Sequence, residues 1–120
     1  MLTDWTAHMT SLSAPLKDLR TGAPDVMKSF SAMAQAALKG GALDTKTKEL
    51  IALGIGVAIR CDDCIAFHVK AAIAQGATRD EIMETLGMAV YMGAGPSVMY
   101  AAHAAEAAGQ LMPKAEAVAE

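Results

Sequence analysis

The sequence predicts an all-α fold, and three observations lead to this class. Hydrophobic residues make up 53% of the 120 residues but aromatic residues only 4%, so the core must be built from aliphatic side chains and the nine methionines. Apolar residues recur at helical spacing, and no segment alternates as a β-strand does. Glycine, proline and capping residues separate the apolar segments. We therefore expect a bundle of five or six helices.

The first half of the chain contains three predicted helices. A leucine stripe predicts the first helix, and the Thr-Gly-Ala-Pro sequence at 21–24 ends it. The proline of that sequence suits the first turn of a second helix, which runs to Leu38 and stops at a Gly-Gly pair. Asp44 caps the third helix. Because residues 50–59 are apolar on almost every side, we expect this helix at the centre of the core.

Two further helices follow, each with a recognisable start. The fourth begins near residues 61–63, because two aspartates there suit the positive end of a helix, and it ends at Gly76. Thr78 and Glu81 have the spacing of a capping box, which begins a fifth helix that reaches about Met92.

The last part of the chain is nearly free of charge. Residues 86–105 carry no formally charged side chain, and this length approaches that of a membrane span. The Gly-Ala-Gly-Pro sequence at 93–96 interrupts the segment, so a buried helical hairpin is the preferred interpretation. Its second arm is a sixth helix, 97–108, which ends at Gly109. Residues 112–120 are expected to form a loose tail of a single domain that spans 1–120.

Composition excludes several classes of partner. Thirteen acidic and ten basic residues give a net charge of −3, and the basic residues are scattered, so neither a nucleic-acid footprint nor a polybasic membrane patch is present. Residues 1–5 contain no basic region followed by an apolar one, so a cytoplasmic protein is expected. In that compartment, a cysteine pair is more often redox-active or metal-binding than structural.

The two cysteines and a histidine form the motif with the clearest chemical meaning. On a helix, at about 100° per residue, Cys64 lies about 60° from Cys61 and His68 about 20° from it, so all three share one face. A disulfide across this spacing closes a very small ring and stabilises little, so redox chemistry explains the spacing better. His68 is placed to accept or return protons.

Two kinds of carboxylate stand near this motif. Asp62 and Asp63 raise the pKa of adjacent thiols, whereas the helix N-terminus favours the thiolate. Glu49 lies in the first turns of the apolar third helix and is a further catalytic candidate. His8, near Trp5, is interpreted as terminal packing.

Four of these candidates form one spaced pattern, E-x11-C-x2-C-x3-H: Glu49, Cys61, Cys64 and His68. This pattern resembles the active-site motif of the alkylhydroperoxidase D (AhpD)-like branch of the carboxymuconolactone decarboxylase family. The segments 44–53 and 76–82, on either side of the cysteines, also resemble that family. The resemblance covers about residues 30–106, the expected core of the domain.

The resemblance implies an all-helical protein that assembles into homotrimers or hexamers. It also implies a thiol peroxidase with no cofactor and no metal. Cys64 would attack a hydroperoxide and become a sulfenic acid, and Cys61 would resolve it to a disulfide, while Glu49 and His68 relay protons. An external dithiol, in some relatives a lipoyl group, would then reduce the pair. From the residues alone, Cys61 could equally be the attacking thiol, because it is nearer the helix start.

Other functions stay open at this stage. The family's well-known peroxidases carry a histidine between the cysteines, where this chain has Asp62 and Asp63, so reduction of a small disulfide is an alternative to peroxidase activity. Lactone decarboxylation, the family's other branch, does not need a thiol pair. A structural zinc module would use the two cysteines and His68, with His103 as the fourth ligand only if the fold brings it close. A non-catalytic scaffold, finally, would be insensitive to replacement of the cysteines.

Overall fold

The computed structural model describes residues 1–113, and within this range it contains six helices and no β-strand. The all-α fold class is therefore confirmed. The helices are α1 (Trp5–Ser11), α2 (Ser13–Gly22), α3 (Pro24–Leu38), α4 (Thr45–Ala58), α5 (Asp62–Ala74) and α6 (Arg79–Leu111).

The core lies where α4, α5 and α6 pack against one another. Leu53 of α4, Ile65 and Val69 of α5, and Ile82 of α6 are completely buried there. Small side chains let α6 approach closely, because much of its buried face consists of alanines. Aliphatic and small residues therefore build the core, as the shortage of aromatic residues requires.

The predicted caps define where two core helices begin. Asp44 accepts a hydrogen bond from the Thr47 N–H at 2.7 Å, at the start of α4. Thr78 and Glu81 form the complete capping box at the start of α6. The Lys46 ammonium donates to Glu81 at 2.8 Å and lowers the pKa of that carboxyl. This contact joins the first turns of α4 and α6.

Helix α6 contains the break that the sequence predicts between a fifth and a sixth helix. Two helical segments within Arg79–Leu111 meet in a kink at Ala94, whose backbone is not helical, with a φ of 55° and a ψ of −143°. Pro96 removes a backbone donor beside the kink. A Cβ at Gly93 would lie 2.8 Å from the Cβ of buried Ser97, so only glycine fits this turn.

The C-terminal part of α6 extends beyond the predicted end at Gly109. Met112 is buried, although the sequence placed it in the loose tail. The rest of that predicted tail, 114–120, lies outside the described residues. None of the helices within residues 1–113 combines the length and apolar character that crossing a bilayer requires.

Helix α4 corrects a second expectation, because it is not buried on every side. Ile51, Ile55 and Ile59 are exposed, while Leu53 and Val57 on the opposite side are buried. The physical reason is that α2 and α3 do not cover α4. These two helices contact mainly each other and bury no side chain of their own. The chain therefore presents apolar faces on α3 and α4.

The N-terminal helix is fastened to α6 by one carboxylate and one aromatic ring. The N–H groups of Leu2 and Thr3 donate to Glu106 at 2.7 and 2.9 Å, and the Trp5 indole N–H donates to it at 3.1 Å. Trp5 is 1% exposed. Gln110 adds a hydrogen bond from the Trp5 N–H at 2.8 Å. This network holds α1 against the C-terminal part of α6.

We expect acid to release this N-terminal segment. The three N–H donors, that of Leu2 above all, lower the pKa of Glu106 below its ordinary value of 4.5. A lowered folded-state pKa means that the stabilisation is complete above about pH 5 and is lost as the pH falls through the folded-state pKa. Fluorescence of Trp5, the only tryptophan, measures the release as a red shift. Glu106→Gln lacks the titrating group; an identical acid transition in that variant would contradict this assignment.

Candidate active site

A buried carboxylate contacts a histidine between α4 and α5. Glu49 is 6% exposed, and its Oε1 lies 2.7 Å from Nδ1 of His68. The contact fixes the ring and holds one of its nitrogens, so the other nitrogen is left to exchange protons. Glu49 reaches His68 because it is on the side of α4 that packs on α5, together with Leu53 and Val57.

The cysteine pair occupies the N-terminus of α5. Cys61 is the N-cap residue, and its Sγ accepts a hydrogen bond from the Cys64 N–H at 3.1 Å. The two sulfurs are joined in a disulfide, with the Cα atoms 5.2 Å apart. Both residues are partly exposed. On reduction, the helix N-terminus would stabilise a thiolate at this place, and a small reagent could reach it.

The turn between α4 and α5 brings the cysteines close to α4. The Cys61 N–H donates to the carbonyl of Gly56 at 3.0 Å. A Cβ at Gly56 would lie 3.3 Å from the Cβ of Cys64, so the absence of a side chain there permits the close packing. Arg60, with a φ of 63°, reverses the chain just before Cys61. The two cysteines therefore pack directly against α4, one of the core helices.

Each aspartate between the cysteines contacts a histidine from another helix. Oδ1 of Asp62 lies 2.7 Å from Nδ1 of His103 on α6, and Oδ1 of Asp63 is hydrogen-bonded to Nε2 of His8 on α1. The Trp5 ring is close to both histidines, with its centroid 5.8 Å from that of His8 and 6.2 Å from that of His103. Two more imidazoles are therefore placed around the first turn of α5.

The structure thus brings the predicted residues together in two contacts and adds two more. Glu49 meets His68, and Cys61 meets Cys64. His8 and His103 were not among the predicted catalytic residues. No local signal could have identified them, because 55 and 41 positions separate them from their aspartates.

The zinc alternative lacks a ligand set in the part of the chain that the structure describes. Among residues 1–113, no three His, Cys, Asp or Glu side chains are grouped so that they could hold a metal ion. Of its four predicted ligands, the cysteines are bonded to each other, His68 contacts Glu49, and His103 contacts Asp62. The arrangement is instead suited to two-electron thiol chemistry with proton transfer.

Comparison with known proteins agrees with the motif. The sequence profile of the carboxymuconolactone decarboxylase family matches residues 24–107. An uncharacterized protein of Cupriavidus necator is 36% identical over 104 residues, which cover 87% of this chain and 92% of the relative. An uncharacterized protein from the cox locus of Paracoccus denitrificans is 36% identical over 93 residues, covering 78% of this chain and 84% of the relative.

Solved structures share the fold. The apo form of a carboxymuconolactone decarboxylase family protein of Legionella pneumophila is 49% identical, with a TM-score of 0.87 over 92% of this chain and 100% of that one. A protein of the same family from Thermotoga maritima, with a candidate role in the antioxidative response, is 29% identical, with a TM-score of 0.78 over 87% of this chain and 89% of that one. The chain therefore belongs to the carboxymuconolactone decarboxylase family.

Proposed function

We propose that the chain is a thiol-dependent oxidoreductase that reduces hydroperoxides with Cys61 and Cys64. The observation that carries the proposal is the disulfide at the N-terminus of α5, on the helix whose His68 is held by a buried carboxylate. The antioxidative candidate role of the Thermotoga maritima relative supports the same chemistry. Lactone decarboxylation makes no use of a dithiol, so the cysteine pair does not favour it.

The proposed cycle balances in three steps. The Cys64 thiolate attacks one oxygen of the hydroperoxide; the O–O bond breaks, Cys64 becomes a sulfenic acid, and the leaving alkoxide takes a proton to form an alcohol. The Cys61 thiol then condenses with the sulfenic acid, which forms the disulfide and releases water. An external dithiol returns two electrons and two protons to the pair and is itself oxidised to a disulfide. No cofactor takes part.

Glu49 and His68 would move the protons in this cycle. His68 lies one helical turn after Cys64. As a general base it would take the thiol proton before attack, and as an acid it would return a proton to the leaving oxygen. The Glu49 contact at Nδ1 would hold the tautomer that leaves Nε2 for this role.

Steady-state turnover tests the proposal. We expect the wild-type protein to consume an organic hydroperoxide with a small dithiol, dihydrolipoamide, as the electron donor. Cys64→Ser should abolish consumption, and Cys61→Ser should slow it, because the sulfenic acid must then be resolved by the external dithiol instead of by the neighbouring thiol. If the two variants exchange these behaviours, Cys61 is the attacking residue. Equal turnover in the wild type and both variants would contradict the proposal.

We also propose that the chain assembles with copies of itself, as a trimer or hexamer. A groove of about 490 Å³ runs between α4 and α6, lined mainly by apolar residues such as Ile51, Ile55 and Met88. It contains none of the four motif residues, so it suits a protein contact better than the chemistry. Exposed apolar side chains that gather in one groove are typical of a protein–protein contact. Helix α3 offers a complementary ridge of Val26, Phe30 and Met33, which share one helical face.

We expect Phe30→Glu to produce monomers. Phe30 is 57% exposed in the isolated chain, and a charge there would have to be buried in the assembly without a partner. Sedimentation velocity at micromolar concentration measures the result. Ser31→Glu is the matched control, because it adds the same charge to α3 about 100° around the helix. A wild-type protein that sediments as a monomer would contradict the assembly.

A further inference from the structure

The first turn of α5 carries two carboxylates, and their negative charge disfavours ionisation of the neighbouring thiols. Asp62 and Asp63 stand between the two cysteines, and a carboxylate beside a thiol raises the pKa of that thiol. The helix N-terminus acts in the opposite direction, with a partial charge of only about half a unit. Two uncompensated carboxylates would therefore oppose the helix terminus and would shift the dithiol toward its protonated, less reactive form.

In the structure, each of these two carboxylates contacts a histidine side chain. Within residues 1–113, the side chain of Asp62 is hydrogen-bonded to His103, and that of Asp63 is hydrogen-bonded to His8. An imidazole that donates an N–H draws charge away from a carboxylate, and an imidazolium cancels it. The two histidines come from different helices, α6 and α1, so the contacts depend on the tertiary fold.

Neighbouring aromatic side chains hold the rings of both histidines in position. Both rings pack near buried Trp5, and His103 also lies 5.0 Å from the Tyr100 ring, centroid to centroid. Trp5 is itself tied to Glu106 on α6. The histidines are therefore held in place by the same network that fastens α1.

We propose that His8 and His103 are positioning residues that offset the charge of Asp63 and Asp62 and so keep the dithiol in its reactive, ionisable form. The inference rests on the proposed dithiol chemistry. In this interpretation, the imidazole missing between the cysteines is replaced by two that reach the same turn from α1 and α6.

The other charged groups around this turn already have different partners or lie outside it. From α4, Glu49 contacts His68, which is the remaining titratable side chain on the same face of α5. From α6, Glu106 accepts the N-terminal N–H groups, and from the loop before Cys61, Arg60 is exposed. From α1, Asp4 caps its own helix by accepting from the Ala7 N–H. The compensation therefore falls to His8 and His103.

The test measures the thiol pKa of the reduced protein from the pH dependence of its alkylation by iodoacetamide, with mass spectrometry to identify the modified cysteine. We expect His8→Leu and His103→Leu each to raise the pKa of the more reactive thiol by about one unit, which means about tenfold less thiolate at a fixed pH below it. Adding Asp63→Asn to His8→Leu, or Asp62→Asn to His103→Leu, should restore the wild-type reactivity. In each double variant the carboxylate is removed together with the histidine that offsets its charge.

The double variants separate charge compensation from a structural role. If His8 and His103 only support packing, removing the aspartate as well will not restore reactivity, and that result would overturn the proposal. Unchanged alkylation in both single histidine variants would overturn it too. Asp63→Asn alone, which keeps every histidine, must not raise the thiol pKa. Ser11→Ala on α1, whose hydroxyl donates to the Ala7 carbonyl of the same helix, is the matched control.

The experiment needs no peroxide, so its failure is distinct from failure of the proposed function. Turnover of hydroperoxide with unchanged alkylation in the histidine variants would refute the compensation and leave the peroxidase activity. The expected alkylation pattern without peroxide turnover would establish the compensation, while the dithiol would serve another substrate.

Discussion

Replacing Glu49 with glutamine is expected to slow oxidation of the reduced dithiol by peroxide about 100- to 10 000-fold, the range over which general acid–base groups contribute. Glutamine keeps the shape and one acceptor of the side chain but removes its charge. His68 would then lose the carboxylate that orients its ring. Stopped-flow measurement of the second-order rate constant with an organic hydroperoxide gives the effect.

Two comparisons make this prediction specific. Glu84→Gln on α6 is the same chemical change at an exposed position, and it should leave the rate constant within about twofold. Glu49→Gln combined with His68→Gln should be little slower than His68→Gln alone, because residues that act as a unit are not additive. A Glu49→Gln rate constant equal to that of the wild type would remove Glu49 from the mechanism.

Trp5→Ala is expected to have the largest effect on stability, about 3–5 kcal/mol, as for other buried large aromatic side chains. Trp5 is 1% exposed, and its indole N–H donates to Glu106. Its loss leaves a cavity between α1 and α6 and removes the support of both His8 and His103. Denaturant unfolding followed by circular dichroism measures the loss in the free energy of unfolding.

Leu19→Ala provides the comparison for Trp5→Ala. Leu19 lies on α2 and is 50% exposed, so its truncation should change the free energy of unfolding by less than about 1 kcal/mol. A loss below about 1 kcal/mol for Trp5→Ala would show that α1 is an appendage rather than part of the folded core.

Much of the fold could be predicted from the sequence because the signals are local. Asp44 and Thr78 each cap a helix with a side chain that bonds three residues ahead, which spacing alone reveals. The exposure of Ile51 and Ile55 on α4 could not be predicted in the same way. An apolar helix looks alike in sequence whether its neighbours belong to the same chain or to another.

In the candidate site, too, some contacts could be predicted from spacing in the sequence, whereas others depend on how the helices pack. The spaced pattern in the sequence groups Glu49 with His68, and the structure places Oε1 of Glu49 2.7 Å from Nδ1 of His68. Asp62 and Asp63 looked like uncompensated charge in the sequence. Their histidine partners come from α1 and α6, and contacts between side chains so far apart in sequence depend on how the helices pack.

The most direct test of the account is the state of the two thiols after the reduced protein meets one equivalent of an organic hydroperoxide. Mass spectrometry should find a Cys61–Cys64 disulfide in the wild type, formed much faster than free cysteine is oxidised. In Cys61→Ser it should find a sulfenic acid on Cys64, trapped with dimedone. If neither thiol reacts faster than free cysteine, the dithiol is not a peroxide-reducing centre.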